Sequence, residues 1–187
     1  RDEETSWASP IVVEHEGLPQ AIVSGTHRIR SYRLADGALL WECGGLSQNV
    51  VASPVAGAGF VFAGSSYETR RLLAIRLGGS GDLTGGERVA WSRSEGTPYV
   101  PSPLLFDGAL YVIRHYQNVL TRLEARTGAE RPGALRLSGL HDIYASPLGA
   151  AGRNSVGKHI FYGRDQTLRA FRRLAAHAAQ GVRGAIR

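Results

Sequence analysis

The chain has 187 residues, 43% of them apolar, enough for one good hydrophobic core. Cys43 is the only cysteine, which excludes a disulfide within the chain. The net charge of +6 is unevenly spread, because residues 153–187 hold eight basic side chains against the single acid Asp165. The basic character therefore belongs to the tail, and residues 1–152 are close to neutral, which argues against a nucleic-acid-binding face there.

Short apolar segments separated by Gly, Pro and Asp follow one another along the chain, as short antiparallel strands do. The first unit runs from Pro10 to Val13, turns at Gly17-Leu18-Pro19, and continues through Ala21-Ile22-Val23. Ile29 to Leu34, a turn at Asp36-Gly37 and Leu39-Leu40-Trp41 complete it. A second unit contains Val50 to Val55, Phe60-Val61-Phe62, Leu72 to Leu77 and Arg88 to Trp91. The third has Leu104 to Phe106, Leu110 to Ile113, Val119 to Leu123 and a weaker Leu135-Arg136-Leu137. In the fourth, Ser146-Pro147-Leu148 and Ile160-Phe161-Tyr162 are followed by Leu168 to Phe171. Beyond Phe171 the composition turns Ala-rich and basic, and residues 173–187 are expected to be a helical or disordered tail.

Each unit opens on a Ser-Pro pair in similar surroundings. Ser9, Ser53, Ser102 and Ser146 stand at intervals of 44, 49 and 44 residues. A period in this range marks a repeat whose unit is one supersecondary element, and four strands per unit is how a β-propeller blade reads. A sandwich or simple barrel would not need a similar turn after the third strand of each unit. Leu34-Ala35-Asp36-Gly37, Glu124-Ala125-Arg126-Thr127-Gly128 and the Gly-rich run after Leu77 all fall at that place. The four serines are expected at equivalent positions near the start of an inner strand.

Ser31 to Trp41 and Leu123 to Gly128 resemble the blade motif of the pyrroloquinoline-quinone-like (PQQ-like) β-propeller repeat proteins, roughly Ala-x-Asp-x-x-Thr-Gly-x-x-x-Trp. Gly37, Trp41 and Gly128 match it, with Asp36 in the place of Thr and Glu124 in the place of Asp. Glycine supplies the positive φ of the turn. Trp41, and Trp91 in the second unit, are expected on outer strands as wedges against neighbouring blades. Trp7 is expected to be a further packing residue, and Cys43 a small buried one. Departures are as plain. Unit two carries five extra residues, mostly Gly78-Gly79-Ser80-Gly81-Asp82, which read as a long hairpin connection. Unit three has Pro132 where Trp would stand, and unit four has neither Thr-Gly nor Trp.

The resemblance covers residues 5–172, with blades at about 7–43, 50–92, 99–138 and 143–172. It implies an all-β, quinoprotein-type propeller of about four four-stranded antiparallel blades, an incomplete arc of a larger, eight-bladed ring. The lack of Met and the start at Arg1-Asp2-Glu3-Glu4 are read as a piece of a longer protein. An open arc would leave Ile11, Val13 and Ile22 on one flank, and Ile160, Tyr162 and Phe171 on the other, short of cover. Its partners would then be the missing blades of a longer parent, or other copies through self-association at the open edges.

No catalytic, cofactor-binding or metal-binding residue is expected. His15, His27, His115, His141, His159 and His177 lack zinc-site spacing, and His141-Asp142 suits a loop pair. Gly78 to Gly86 lacks the Lys-Ser/Thr ending of a phosphate loop. Quinoprotein dehydrogenases of the family hold PQQ with calcium through Glu, Asn and Asp ligands, often beside a vicinal Cys pair. None of these sets aligns here. The expected role is a non-catalytic scaffold for protein–protein contacts, without nucleic acid, exported or periplasmic as the resemblance implies. Its relatives of this shape include a propeller lipoprotein that assists outer-membrane barrel assembly. The alternative is a fragment of a PQQ-dependent alcohol or sugar dehydrogenase. No apolar run reaches membrane-spanning length, and no secretory leader is visible.

Overall fold

The computed structural model describes residues 3, 5–114, 116–138, 143–144, 146–151 and 158–161. The predicted tail at 173–187 and the strand Leu168 to Phe171 lie outside the described residues, as does Tyr162. Among the described residues every regular element is a strand.

The first sheet contains β1 (Ile11–His15), β2 (Leu18–Ser24), β3 (Arg28–Arg33) and β4 (Leu39–Gly44) in chain order. The second contains β5 (Val55–Gly57), β6 (Phe60–Ser65), β7 (Arg71–Arg76) and β9 (Val89–Arg93). The third contains β10 (Leu104–Phe106), β11 (Ala109–Ile113), β12 (Val119–Glu124) and β13 (Leu135–Arg136). A hairpin of β14 (Leu148–Ala151) and β15 (Lys158–Phe161) follows. Each of the three complete sheets is a meander of antiparallel neighbours.

The first two strands of each complete sheet are joined by two residues that both have positive φ: Glu16-Gly17, Ala58-Gly59 and Asp107-Gly108. This geometry suits the right-handed twist of paired strands. It also moves the first predicted turn. Leu18 and Pro19 belong to β2 and not to the turn, because Gly17 at the second turn position completes the reversal.

The turn after the third strand is also shared. In blade one, Gly37 (φ 73°) donates its N–H to the Arg33 carbonyl, while Asp36 Oδ1 accepts from the Ala38 N–H at 3.1 Å. In blade three, Gly128 (φ 71°) donates to the Glu124 carbonyl, and Thr127 Oγ1 accepts from the Ala129 N–H at 3.3 Å. Asp and Thr are interchangeable at this place because each needs only an oxygen two residues before an N–H.

The Ser-Pro serines form a ladder across the sheets. The Ser9 N–H donates to Ser53 Oγ, the Ser53 N–H to Ser102 Oγ, and the Ser102 N–H to Ser146 Oγ, each at 2.9 Å. One residue thus both donates to the next unit and accepts from the previous one. That double role needs a hydroxyl beside a free backbone N–H, hence serine preceding proline at each start.

The core lies between sheets, not inside one. Ile22, Ile29, Trp41 and Cys43 of blade one pack with Val61, Leu73 and Ile75 of blade two. Phe62 and Leu72 of blade two meet Leu110, Val112 and Leu123 of blade three. Strand alternation decides which residues are covered. Ile22 is fully buried, contrary to the expectation that it lacks full cover, whereas Ile11 and Val13 are only partly buried against the same cluster. Val12 and Leu39, on the opposite face of the sheet, are the exposed ones. Trp7 is also unlike its expectation, with its side chain 69% exposed. Its backbone N–H donates to the Val50 carbonyl, so the segment is held by main chain while the ring stays in solvent.

The Gly-rich run of unit two is more than a hairpin connection. Gly81–Asp82 forms β8, which pairs in parallel with β4 of the preceding blade, setting Trp41 opposite Gly81 and Glu42 opposite Asp82. The Leu83 N–H donates to the Glu42 carbonyl at 2.8 Å, and the Gly44 N–H to Thr84 Oγ1 at 2.7 Å. The five extra residues therefore give blade one a fifth strand from blade two.

Candidate functional site

Arg28 closes this inter-blade clasp, standing 2.9 Å from Glu42 Oε1 and 3.1 Å from Asp82 Oδ2. Asp82 also accepts from the Thr84 hydroxyl and, at 2.9 Å, from the Thr84 N–H. These hydrogen bonds from Thr84, reinforced by Arg28, lower its carboxyl to a pKa of about 2. A carboxylate depressed in the folded state contributes fully above its unfolded value of about 3.9 and loses that contribution as pH falls through about 2. Denaturation midpoints measured from pH 5 downwards are therefore expected to fall more steeply for the native chain than for Asp82→Asn. Parallel curves would mean that the clasp carboxylate is not coupled to folding.

The two tryptophans of the blade motif lie in β4 and β9, the fourth strands of their own blades. Trp41 is 1% exposed, and its indole N–H has no hydrogen-bond partner among the described residues. Trp91 instead donates Nε1–H to the Ala125 carbonyl at 2.9 Å and lies over Gly128 of the next blade. The carbonyl at the corresponding place in blade two has another donor. Leu77 takes the place in blade two that Ala125 takes in blade three, and its carbonyl already accepts from Arg88 at 2.8 Å. These residues are packing groups by their surroundings. Gly37, by contrast, has open space where a Cβ would stand.

Among the described residues two concave regions stand out. The inner strands β1 and β5, with Leu104 and Leu105 of β10, line a groove of about 550 Å³. Its walls are mainly Ile, Val, Leu, Ala and Pro, and Glu14 and His15 are the ionisable side chains lining it. His15 Nε2 lies 3.8 Å from the exposed Glu16. His27 belongs to the tight turn before β3, with a φ of 62°, and its N–H donates to the Ser47 carbonyl. His115, His141, His177 and the side chain of His159 lie outside the described residues, so the His141-Asp142 pair does too. Among the described residues no three His, Cys, Asp or Glu converge as a metal-binding group. Cys43 is buried, which pushes its thiol up in pKa and keeps it protonated.

The second region lies at the end of the blades opposite the Gly17, Gly59 and Gly108 turns. The loops after β6 and β11 and the segments before β10 and β14 bring four tyrosines together there. Tyr67 stacks on Tyr99 at 6.1 Å between ring centroids, and Tyr99 meets the edge of Tyr116 at 5.5 Å. Tyr99, Tyr116 and Tyr144 surround a hollow of about 120 Å³ whose floor includes Pro101, Ile113 and Ile143. Tyr67, Tyr116 and Tyr144 are 55%, 68% and 54% exposed. Burial and the adjoining Tyr116 and Tyr67 push the Tyr99 hydroxyl up in pKa, so it remains a donor at neutral pH. Arg114 lines the same hollow, but its guanidinium is occupied by Thr121 Oγ1 at 2.8 Å and Glu130 Oε1 at 2.5 Å.

Sequence reasoning missed this cluster, although a signal was present. Tyr67 and Tyr116 each stand 14 residues after their Ser-Pro serine, Ser53 and Ser102. Tyr99 and Tyr144 stand three and two residues before Ser102 and Ser146. A repeat read for its shared packing residues passes over loop residues that share only a face.

No family model matches the chain, and no curated protein matches it. Solved structures do. A europium-containing methanol dehydrogenase is similar at a TM-score of 0.50 and 12% identity, over 68% of this chain and 24% of that one. BamB from Moraxella catarrhalis is similar at a TM-score of 0.48 and 17% identity, over 79% of this chain and 49% of that one. The chain thus spans about a quarter of the first protein and about half of the second. The fold is that of a β-propeller, seen over part of such a ring.

Proposed function

We propose that this part of a PQQ-like propeller serves as a non-catalytic platform for protein contacts in the bacterial cell envelope. The observation that carries the reading is the row of exposed tyrosines at one end of blades two and three. Aromatic side chains with a polar tip are enriched where one protein surface meets another, and a concentrated set of them exposed on one face suits such a contact. The blade motif supplies rigidity beneath them, since its tryptophans and serines bind each sheet to the next.

The donor chemistry of the inner groove does not fit a calcium-bound quinone. Calcium takes six to eight oxygen ligands, and the described residues lining the groove offer one carboxylate, Glu14. The envelope location rests on the likeness of the repeat to exported propellers. A photoreactive benzophenone side chain placed at Tyr67 or Tyr116 in the native host is expected to yield a discrete protein adduct. The same group at Leu34, exposed at the other end of blade one, is the control. Adducts that are missing at both tyrosines, or equal at Leu34, would contradict the platform reading.

A further inference from the structure

We infer that the tyrosine hollow receives an uncharged, proline-containing segment of a partner protein, bound in the extended polyproline II conformation. The inference rests on the platform reading and specifies what the platform holds. Size is the first reason. An apolar cavity near 150 Å³ holds a benzene ring, so the hollow of about 120 Å³ admits one ring-sized group such as a prolyl side chain. An amphipathic helix would need a continuous groove for anchors three and four residues apart.

The floor is the second reason. Ile113 and Ile143 are 4% and 9% exposed and, with Pro101, offer no polar atoms from their side chains. A sugar ring would turn hydroxyls onto that floor, which has no side-chain partner for them, the polar groups Asn118, Arg114 and the tyrosine hydroxyls standing around it. A prolyl ring has none to bury. Charge is the third. Among the described residues Arg114 is the charged one lining the hollow, and its guanidinium already serves Glu130 and Thr121, while Glu130 is also held by Arg93 at 3.2 Å. An acidic segment would find that cation already neutralised, so the site suits a neutral ligand.

Spacing is the fourth. The Tyr67, Tyr99 and Tyr116 rings lead to the hollow in steps of 6.1 and 5.5 Å. Polyproline II rises about 3.1 Å per residue, so each step spans about two residues of ligand. That helix has no internal hydrogen bonds to lose when it is laid against the ring faces. Proline-rich ligands lose little conformational entropy on docking against aromatic walls.

The test is a fluorescence-anisotropy titration of the full 187-residue chain with a labelled hexaproline peptide. Saturable binding is expected, weakened about tenfold to thirtyfold by Tyr116→Ala and less by Tyr67→Ala at the far end of the track. Tyr116→Phe should retain most of the affinity, since the ring provides most of the contact. Unchanged thermal midpoints establish that these surface variants fold. A hexa-alanine peptide, a hexaglutamate peptide and a neutral oligosaccharide are titrated alongside. Preference for any of these over hexaproline, or hexaproline binding that Tyr116→Ala leaves intact, would overturn the inference. So would a flat hexaproline titration at millimolar concentration. Tyrosine-specific adducts in the host together with a flat hexaproline titration would sink this inference and leave the platform reading standing.

Discussion

Replacing Trp41 with alanine is expected to lower the unfolding free energy by about 3–5 kcal/mol, as large-to-small changes in a packed core do. The side chain is 1% exposed and lies in the cluster that joins Ile29 and Cys43 of blade one to Val61, Leu73 and Ile75 of blade two. Its loss opens a cavity between two sheets that the serine ladder and the β8 pairing tie together. Trp41→Phe should cost clearly less, because it removes an indole N–H that has no partner among the described residues. At Trp91 the same change removes a 2.9 Å hydrogen bond to Ala125, so the ring change alone is not free there. Denaturant titration measures both. A Trp41→Ala midpoint equal to that of the native chain would show that the tryptophan does not hold the blades together.

Gly128→Ala is the second large effect, at about 2–5 kcal/mol. Two costs combine. A φ of 71° is left-handed, which costs an alanine about 1–2 kcal/mol. The new Cβ would also stand 2.7 Å from Trp91 Cδ2, and overpacking of this kind costs about 1–3 kcal/mol. The indole cannot easily retreat, since its N–H is fixed to the Ala125 carbonyl. Gly37→Ala separates the two costs. Its φ is 73°, yet nothing lies within 4 Å of the added Cβ, so only the conformational cost of about 1–2 kcal/mol applies. Equal losses at the two glycines would refute the stacking of Trp91 on the turn of the next blade.

The parts of the fold that were legible in the sequence are those in which every repeat obeys one constraint. Serine at each unit start is such a case, since the ladder needs a short side-chain oxygen that accepts beside a backbone N–H that donates. The turn glycines are another, because the backbone sign is fixed. Strand β8 was not legible. Two residues paired in parallel with another blade leave neither alternation nor periodicity, and Gly78-Gly79-Ser80-Gly81-Asp82 reads locally as a loop. The exposure of Trp7 was likewise hidden, since its surroundings resemble those of the other Ser-Pro units while its ring stays in solvent. The tyrosine row was the largest omission. Its members come from loops after second strands and from segments before inner strands, so no single window of sequence contains them. Their shared offset from Ser53 and Ser102 becomes meaningful only once the blades are side by side.

The proposed platform presents a binding face and not a quinone centre, a distinction open to calorimetric titration of the purified chain with PQQ, with and without calcium. No saturable heat is expected at micromolar concentration under either condition, and no dye reduction with alcohol or sugar substrates. Saturable quinone binding that depends on calcium and is lost in Glu14→Gln would contradict it, and would place the chemistry in the groove between β1 and β5.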